Sequence, residues 1–274
     1  MLNAKGLAIA LMGAVLANYL HIPLPWLLGP LLAALFMGSI GQPLSCHPYW
    51  RKGGQIIIGM ALGLYFTPAL VQAVAIYWGF ILIGILWSLV LGSMLAILQY
   101  RINGLDWATA WFSSAIGSAS EMVNIAEQYY AQVDKVVAAH SLRIVLLVVL
   151  VPIFIGLYFQ VEWSDLIVLD TERYELIQVL PLFVLALFAG IIFQYFHLLN
   201  AWILGPLTII GLFSFFGILQ LRFPEWFIAL GQLCIGWSLG SKFPFSFLKN
   251  NKKFIGLTVL FNLLALVLSI IFAF

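Results

Sequence analysis

The chain has 274 residues, of which 64% are hydrophobic and only 8% are charged, and its mean hydropathy is +1.10. A soluble domain is about 45–50% apolar and about 25% charged, so this composition excludes the soluble classes and predicts an all-α polytopic membrane protein. The net charge of +2 is no evidence for nucleic-acid binding, because the basic residues lie in short loops between apolar segments, and we expect no nucleic-acid partner. The two cysteines, Cys46 and Cys234, are too few and too far apart to indicate a disulfide framework.

Apolar segments follow one another along the chain and predict about nine transmembrane helices. They lie at about 7–20, 26–40, 54–72, 75–98, 138–158, 177–196, 202–219, 227–243 and 254–274. Several are shorter than the ~20 residues that a perpendicular helix needs to cross a bilayer core about 30 Å thick. Short segments of this kind are typical of proteins in which flanking residues complete the crossing or a cavity thins the protein.

An internal repeat divides the chain. Seven residues between positions 19 and 41 recur 176 positions later, and seven between 54 and 66 recur 177 positions later. The first set is Tyr19, His21, Trp26, Gly29, Pro30, Leu31 and Gly41, which recur as Tyr195, His197, Trp202, Gly205, Pro206, Leu207 and Gly217. We therefore predict a first membrane repeat at 1–160, a connecting loop at 161–176, and a second, C-terminally shortened membrane repeat at 177–274.

The basic loops predict that the two repeats have inverted topology. Arg51 and Lys52 follow the second apolar segment, whereas the basic loop of the second repeat, 241–253, comes one segment later. Because basic loops face the cytoplasm, a shift by one crossing is expected of inverted repeats in a multi-pass inner-membrane protein. An odd number of crossings per repeat results if segment 106–130 dips into the membrane and returns. A broken helix that crosses the membrane there is the alternative.

Polar residues are concentrated between positions 113 and 124, within an otherwise apolar sequence. The candidate substrate- or ion-binding residues in this segment are Ser113, Ser114, Gly117, Ser118, Ser120, Glu121 and Asn124. At membrane depth each unpaired polar group costs several kcal/mol, so such a segment is expected only where it is buried in protein or lines a cavity. The alternative is that the serines are small residues that allow close helix packing and bond to their own helix.

Charged residues in and after this segment extend the candidate site. Glu121 is expected to bind a proton, a cation or a basic substrate group, or else to be a partly exposed glutamate near the interface. His140 and Arg143 lie three residues apart and share one face of the next helix. Arg143 is expected to hold an anionic group or to pair with Glu121, or else to reach the cytoplasmic interface beside Lys135. His140 is expected to relay protons or to be a satisfied hydrogen-bonding residue.

Motifs that would indicate an enzyme are absent from the sequence. There is no nucleotide-binding loop, no catalytic triad motif and no metal cluster at ligand spacing. His21 and His197, as corresponding positions of inverted repeats, would lie on opposite membrane faces and could not share a metal ion. We therefore expect no enzymatic activity, no cofactor and no metal.

With this duplication, the chain resembles the AbrB-type family of integral membrane proteins, whose members are often labelled ammonia monooxygenases or regulators. The resemblance is carried by Trp26-Leu27-Leu28-Gly29-Pro30, Gly54-Gln55 through Gly63, Ser114 through Met122, Ala126, and Leu142-Arg143. It implies a fold like that of the inverted-repeat cation–proton antiporters and anion transporters. The chain departs from the family where Ile116-Gly117-Ser118 replaces Pro-Gly-Gly and where His140 replaces a common glutamine.

These observations predict a secondary-transporter-like protein that moves a small organic anion with H⁺ or Na⁺ coupling, because the N-terminal ends of half-helices attract anions. The alternative is a membrane-bound protein that regulates gene expression, a scaffold, or an inactive truncated family member. The second repeat stops before the residues that would match 100–170, so we expect it to supply only scaffold. A homo-oligomer or a complementing fragment would then complete the site.

The inverted topology predicts that the loops containing Arg51-Lys52 and 241–253 face the cytoplasm together. Cysteines introduced as Lys52→Cys and Asn250→Cys should both resist an impermeant thiol reagent added from outside the cell. Labelling at one of the two positions and not at the other would contradict the inverted-repeat prediction.

Overall fold

The fold is all-helical, as predicted. The computed structural model describes residues 4–117, 119–159, 176–219, 223–243, 247 and 250–273. Within these ranges it has twelve bounded helices and no strand: α1 (Ala4–Tyr19), α2 (Pro25–Ser39), α3 (Pro48–Gly63), α4 (Pro68–Ile76), α5 (Trp78–Arg101), α6 (Trp107–Ser114), α7 (Ala119–Gln128), α8 (Val133–Phe159), α9 (Leu176–Tyr195), α10 (Ala201–Phe215), α11 (Glu225–Ser241) and α12 (Lys252–Ala273). The predicted connecting loop, up to residue 175, lies outside the described residues.

Several helices could span a membrane. The helices α5, α8 and α12 are long and apolar enough to cross singly, and α3 with α4 forms a fourth candidate bent by 78° at its break. Large apolar side chains such as Phe80, Leu157 and Ile271 are mostly exposed on these helices, which suits contact with lipid. Each predicted apolar segment contains a helix, but nine crossings remain a prediction.

The helices form two compact units. The first unit comprises Met1–Ile76 and Pro152–Lys242, and the second comprises Tyr77–Val151 and Phe243–Phe274. Each unit therefore contains parts of both predicted repeats.

In the first unit, the second helix of each predicted repeat packs on the third helix of the other repeat. Helix α2 packs on α11, and α3 packs on α10. A Cβ atom at Gly59 of α3 would lie 2.5 Å from the carbonyl oxygen of Ile203, and one at Gly236 of α11 would collide with the carbonyl oxygen of Leu27. Small residues let helix backbones approach this closely, which matters in lipid because apolar side chains gain little by leaving it.

The 176-residue spacing of the sequence repeat also recurs in unusual backbone conformations. His21 and His197 have φ values of 55° and 53°, and Leu24 and Asn200 have φ values of 47° and 49°. Positive φ is uncommon outside glycine. Its recurrence at positions 176 residues apart shows that the two copies of the sequence repeat also share local backbone geometry here. Leu24 and Asn200 immediately precede α2 and α10, where they set the direction in which each helix begins.

A helical hairpin, α6–α7, lies in the second unit. Ala108 and Phe112 of α6 pack on the same buried cluster as Met122 and Val123 of α7. After α7 the chain returns to the start of α6: the backbone N–H of Gln132 donates to Thr109 Oγ1 (2.8 Å), and its side-chain amide donates to Asp106 Oδ2 (3.1 Å). The start of α6 and the residues that follow α7 thus lie side by side. That this hairpin dips into the membrane and returns stays a prediction.

The close helix contacts of the first unit predict that added methyl groups are destabilising. Gly59→Ala and Gly236→Ala should each lower the free energy of unfolding by about 1–3 kcal/mol through overpacking. Gly84→Ala is the matched control, because a Cβ at this helical position meets nothing within 4 Å. Thermal unfolding in detergent measures all three variants, and a loss at Gly84 equal to that at Gly59 would contradict the packing argument.

Candidate functional site

The candidate site lies where α6 ends and the helical conformation is interrupted before α7. Helix α6 stops at Ser114, Ala115 takes an extended conformation with ψ 135°, and α7 begins at Ala119. The last carbonyl groups of any helix lack partners within it. In α6 the backbone N–H of Ala115 bonds the carbonyl of Trp111, so the carbonyls of residues 112–115 have no partner inside the helix.

One face of α8 supplies partners for all four of these carbonyl groups. His140 Nε2 bonds the carbonyl oxygen of Phe112 at 2.9 Å. Arg143 Nη2 donates to the carbonyl oxygens of residues 113 and 114 at 3.0 Å each, and Nη1 donates to that of Ala115 at 2.9 Å. Since a carbonyl oxygen only accepts, Nε2 of His140 carries a hydrogen. The predicted shared face of His140 and Arg143 is therefore the surface that closes the end of α6.

The last helix completes the set of acceptors around Arg143. Its Nε donates to Asn262 Oδ1 of α12 at 3.1 Å, and Asn262 Nδ2 donates to the carbonyl oxygen of Thr258 at 2.8 Å. Gln99 of α5 donates in turn to Thr258 Oγ1 at 3.0 Å. The expectation that the second repeat supplies only scaffold is wrong, because Asn262 lies in that repeat and bonds Arg143 directly.

Sequence reasoning missed Gln99, Thr258 and Asn262. The signal was present, since each is a polar residue within an apolar helix, and Thr258 and Asn262 lie four residues apart on one face. Polar side chains in such helices usually face protein or water and not lipid.

The predicted serines differ in their surroundings. Ser113 is buried and its hydroxyl donates to the carbonyl of Ala110 at 3.1 Å, as the close-packing alternative expects. Ser114 is only 1% exposed, yet its hydroxyl has no hydrogen-bond partner among the described residues. Gly117 lies within the break and is exposed.

Four predicted site residues are described only in part or not at all. Ser118 lies outside the described residues. Ser120, Glu121 and Asn124 belong to α7, but their side chains lie outside the described part of the structure. The pairing of Glu121 with Arg143 therefore stays a prediction.

Asp106 places a carboxylate at the N-terminal end of α6. It is the residue before the helix, and its Oδ1 accepts from the backbone N–H of Thr109 at 2.9 Å. Burial alone would raise the pKa of Asp106, but hydrogen bonds from Thr109 and Gln132 outweigh it and hold the pKa below its usual value. An ionised carboxylate at the start of a helix and a cation at its end both complement the helix dipole.

A metal centre is not indicated by the structure. Among the residues described, no group of three or more histidine, cysteine or acidic side chains could hold a metal ion.

Comparison with known proteins identifies related sequences over most of the chain. The family model described as "Transition state regulatory protein AbrB" matches residues 26–274. A protein of Escherichia coli (strain K12) named "Putative regulator AbrB" is 23% identical over 227 residues, which are 81% of this chain and 64% of that protein. "Uncharacterized protein YhjN" of Bacillus subtilis (strain 168) is 22% identical over 161 residues, or 56% of this chain and 42% of that protein.

The chain thus spans less than two thirds of the length of the curated relatives it matches. No solved structure matches it.

The contacts of Gln132 predict that Thr109 fixes the base of the α6–α7 hairpin. Thr109→Val keeps the side-chain shape but leaves the Gln132 N–H without its acceptor, so we expect a loss of about 1–2 kcal/mol in stability and faster hydrogen exchange at residues 129–133. Thr208→Val is the matched control, since that hydroxyl donates only to the carbonyl of Leu204 in its own helix. Equal exchange rates in both variants would show that Thr109 does not fix the hairpin.

Proposed function

The chain belongs to the AbrB family, and we propose that it is a secondary-transporter-like protein of the inner membrane that moves a small organic anion with H⁺ or Na⁺ coupling. The observation that supports this most directly is the helix break between α6 and α7, whose carbonyl end is neutralised by Arg143. Discontinuous helices of this kind form substrate sites in secondary transporters. The site would bind and release its ligand without covalent chemistry.

Charge favours an anion at the break. The C-terminal end of α6 carries about −0.5 charge and the N-terminal end of α7 about +0.5, so the full positive charge of Arg143 leaves the region positive. The hydroxyl of Ser114 has no hydrogen-bond partner among the residues that the structure describes. It lies at the same break and could donate a hydrogen bond to a carboxylate. Glu121, on α7, would then be the group that takes up a coupling proton or cation.

The architecture of the first unit supports inverted repeats. Corresponding glycines, Gly59 and Gly236, pack against corresponding residues of the other repeat, as an approximate two-fold axis requires. The shift of the basic loops between repeats favours an axis in the membrane plane and not along its normal. With that axis, the hairpin at 106–132 would be re-entrant, and the protein would be multi-pass.

A regulatory role is the second candidate, because the matching family description and the E. coli relative's name both use that word. As a membrane-bound regulator of gene expression or a scaffold, the protein would bind a ligand or partner without moving it. Binding with no uptake therefore separates the two candidates.

Uptake by the full chain in liposomes tests the proposal. Labelled monocarboxylates and dicarboxylates, each with an inward H⁺ or Na⁺ gradient, should show at least one substrate that accumulates above protein-free liposomes. Glu121→Gln and Arg143→Ala should abolish that uptake, because they remove the coupling group and the neutralising charge. Saturable binding of these anions with no accumulation would favour the regulatory candidate.

The matched controls are Glu162→Gln and Arg101→Ala. The first removes a negative charge from the predicted connecting loop, and the second removes a positive charge from an exposed position at the end of α5. Both should transport as the unmodified protein does. Equal, mild effects in all four variants would mean that Glu121 and Arg143 do not line the site.

A further inference from the structure

Four oxygen atoms converge on one cationic side chain at the end of α6. They are the carbonyl oxygens of Ser113, Ser114 and Ala115 and the Oδ1 of Asn262, all within 2.9–3.1 Å of a guanidinium nitrogen. We propose that these four oxygens form a cation site that Arg143 itself occupies, so that the guanidinium stands in place of a free monovalent cation. The role of this site in a transport cycle rests on the proposed function, whereas its ability to bind a cation does not.

The ligand chemistry supports this assignment. Unwound carbonyl groups and the C-terminal ends of half-helices are the groups that coordinate Na⁺ in transporters with broken helices. The same groups here accept hydrogen bonds from a planar fork of N–H donors, a geometry that a lysine ammonium does not reproduce. A small cation with the same fork, guanidinium, is therefore the free ligand that fits best once the side chain is removed.

Neighbouring side chains hold the oxygens in place without Arg143. His140 bonds the carbonyl of Phe112, which fixes the preceding residue of the same helix end. Asn262 is oriented by its amide hydrogen bond to the carbonyl of Thr258, and the Thr258 hydroxyl is held by Gln99. The acceptors thus belong to two elements. When residue 143 is truncated, the end of α6 keeps its bond to α8 through His140, and α12 keeps its bond to α5 through Gln99.

The consequence for function is that the carbonyl end of this break needs no Na⁺. A fixed cation neutralises it throughout a cycle, so these oxygens offer no place for a coupling Na⁺. Coupling is then left to a proton taken up elsewhere, at Glu121 in the proposed function. Uptake, where it is found, should then be unchanged when Na⁺ is replaced by choline.

Chemical rescue of Arg143→Ala tests the cation site directly. The full-length variant is purified in detergent and melted in choline chloride with 0–20 mM guanidinium chloride or sodium chloride replacing choline at constant ionic strength. Guanidinium at ten times its Kd should raise the melting temperature of the variant by about 3–6 °C. The unmodified protein should not respond, because its site is already filled.

Two further variants decide whether rescue occurs at these oxygens. Arg143→Ala combined with Asn262→Leu removes one of the four acceptors and should weaken the guanidinium effect about tenfold in concentration. Arg101→Ala removes an exposed arginine, and guanidinium should not raise the melting temperature of this variant. If Arg143→Ala does not yield folded protein, the yield of monodisperse protein becomes the measurement, and guanidinium in the purification buffers should restore it.

The outcomes are separable from those of the transport experiment. Rescue by guanidinium, or by Na⁺ above choline, supports the cation site even if no anion is transported. No response of melting temperature or yield to either cation overturns it, and so does equal rescue of the variant that lacks Asn262. Na⁺-dependent uptake by the unmodified protein would overturn the inference about coupling while leaving the proposed transport intact.

Discussion

Four backbone carbonyl groups at the end of a very short helix impose the constraint on which the second unit depends. Helix α6 has only eight residues, so a large share of its carbonyls lie in the last turn, where no helical N–H can reach them. At membrane depth each unmet carbonyl would cost several kcal/mol. This gives a physical reason for a histidine and an arginine three positions apart in α8, a largely apolar helix of 27 residues. It bonds the end of α6 with both.

The converse constraint acts on Arg143. An unpaired guanidinium in a bilayer is itself costly, and only several well-placed acceptors offset its desolvation. Three carbonyls of α6 supply most of them, and Asn262 supplies the fourth. The carbonyl groups and the guanidinium are thus each unfavourable alone but stable when they are hydrogen-bonded to each other. This requirement holds α6, α8 and α12 together around one charged group. The carbonyl groups at the helix break, which would otherwise lack partners, are hydrogen-bonded, and their partial negative charge is neutralised.

The sequence predicted the elements more completely than the contacts. The sequence showed the features that are local patterns. These are the apolar segments, the polar segment that begins at residue 113, and the shared face of His140 and Arg143. That Arg143 bonds backbone carbonyls could not be predicted, since every sequence offers carbonyls everywhere and only the helix end makes these four available. Asn262 was visible as a polar residue within an apolar helix, but its partner could not be predicted, for a related reason. It lies 119 residues from Arg143, and no local pattern indicates a partner at that distance.

The two units solve the problem of packing helices in lipid by different means. Lipid removes most of the hydrophobic drive for helix association, so close backbone contact or interhelical hydrogen bonding must replace it. The first unit uses contact: glycines such as Gly59 and Gly236 bring helix backbones together, and a side chain at either position would separate them. The second unit uses hydrogen bonds, from Gln99 through Thr258 to the Asn262–Arg143 pair. A hydrogen-bonded set can exchange one partner for another of similar energy, whereas interlocked backbones cannot slide without collision. Polar helix contacts of the second unit therefore depend on individual hydrogen bonds, whereas those of the first depend on the absence of side chains at a few glycines.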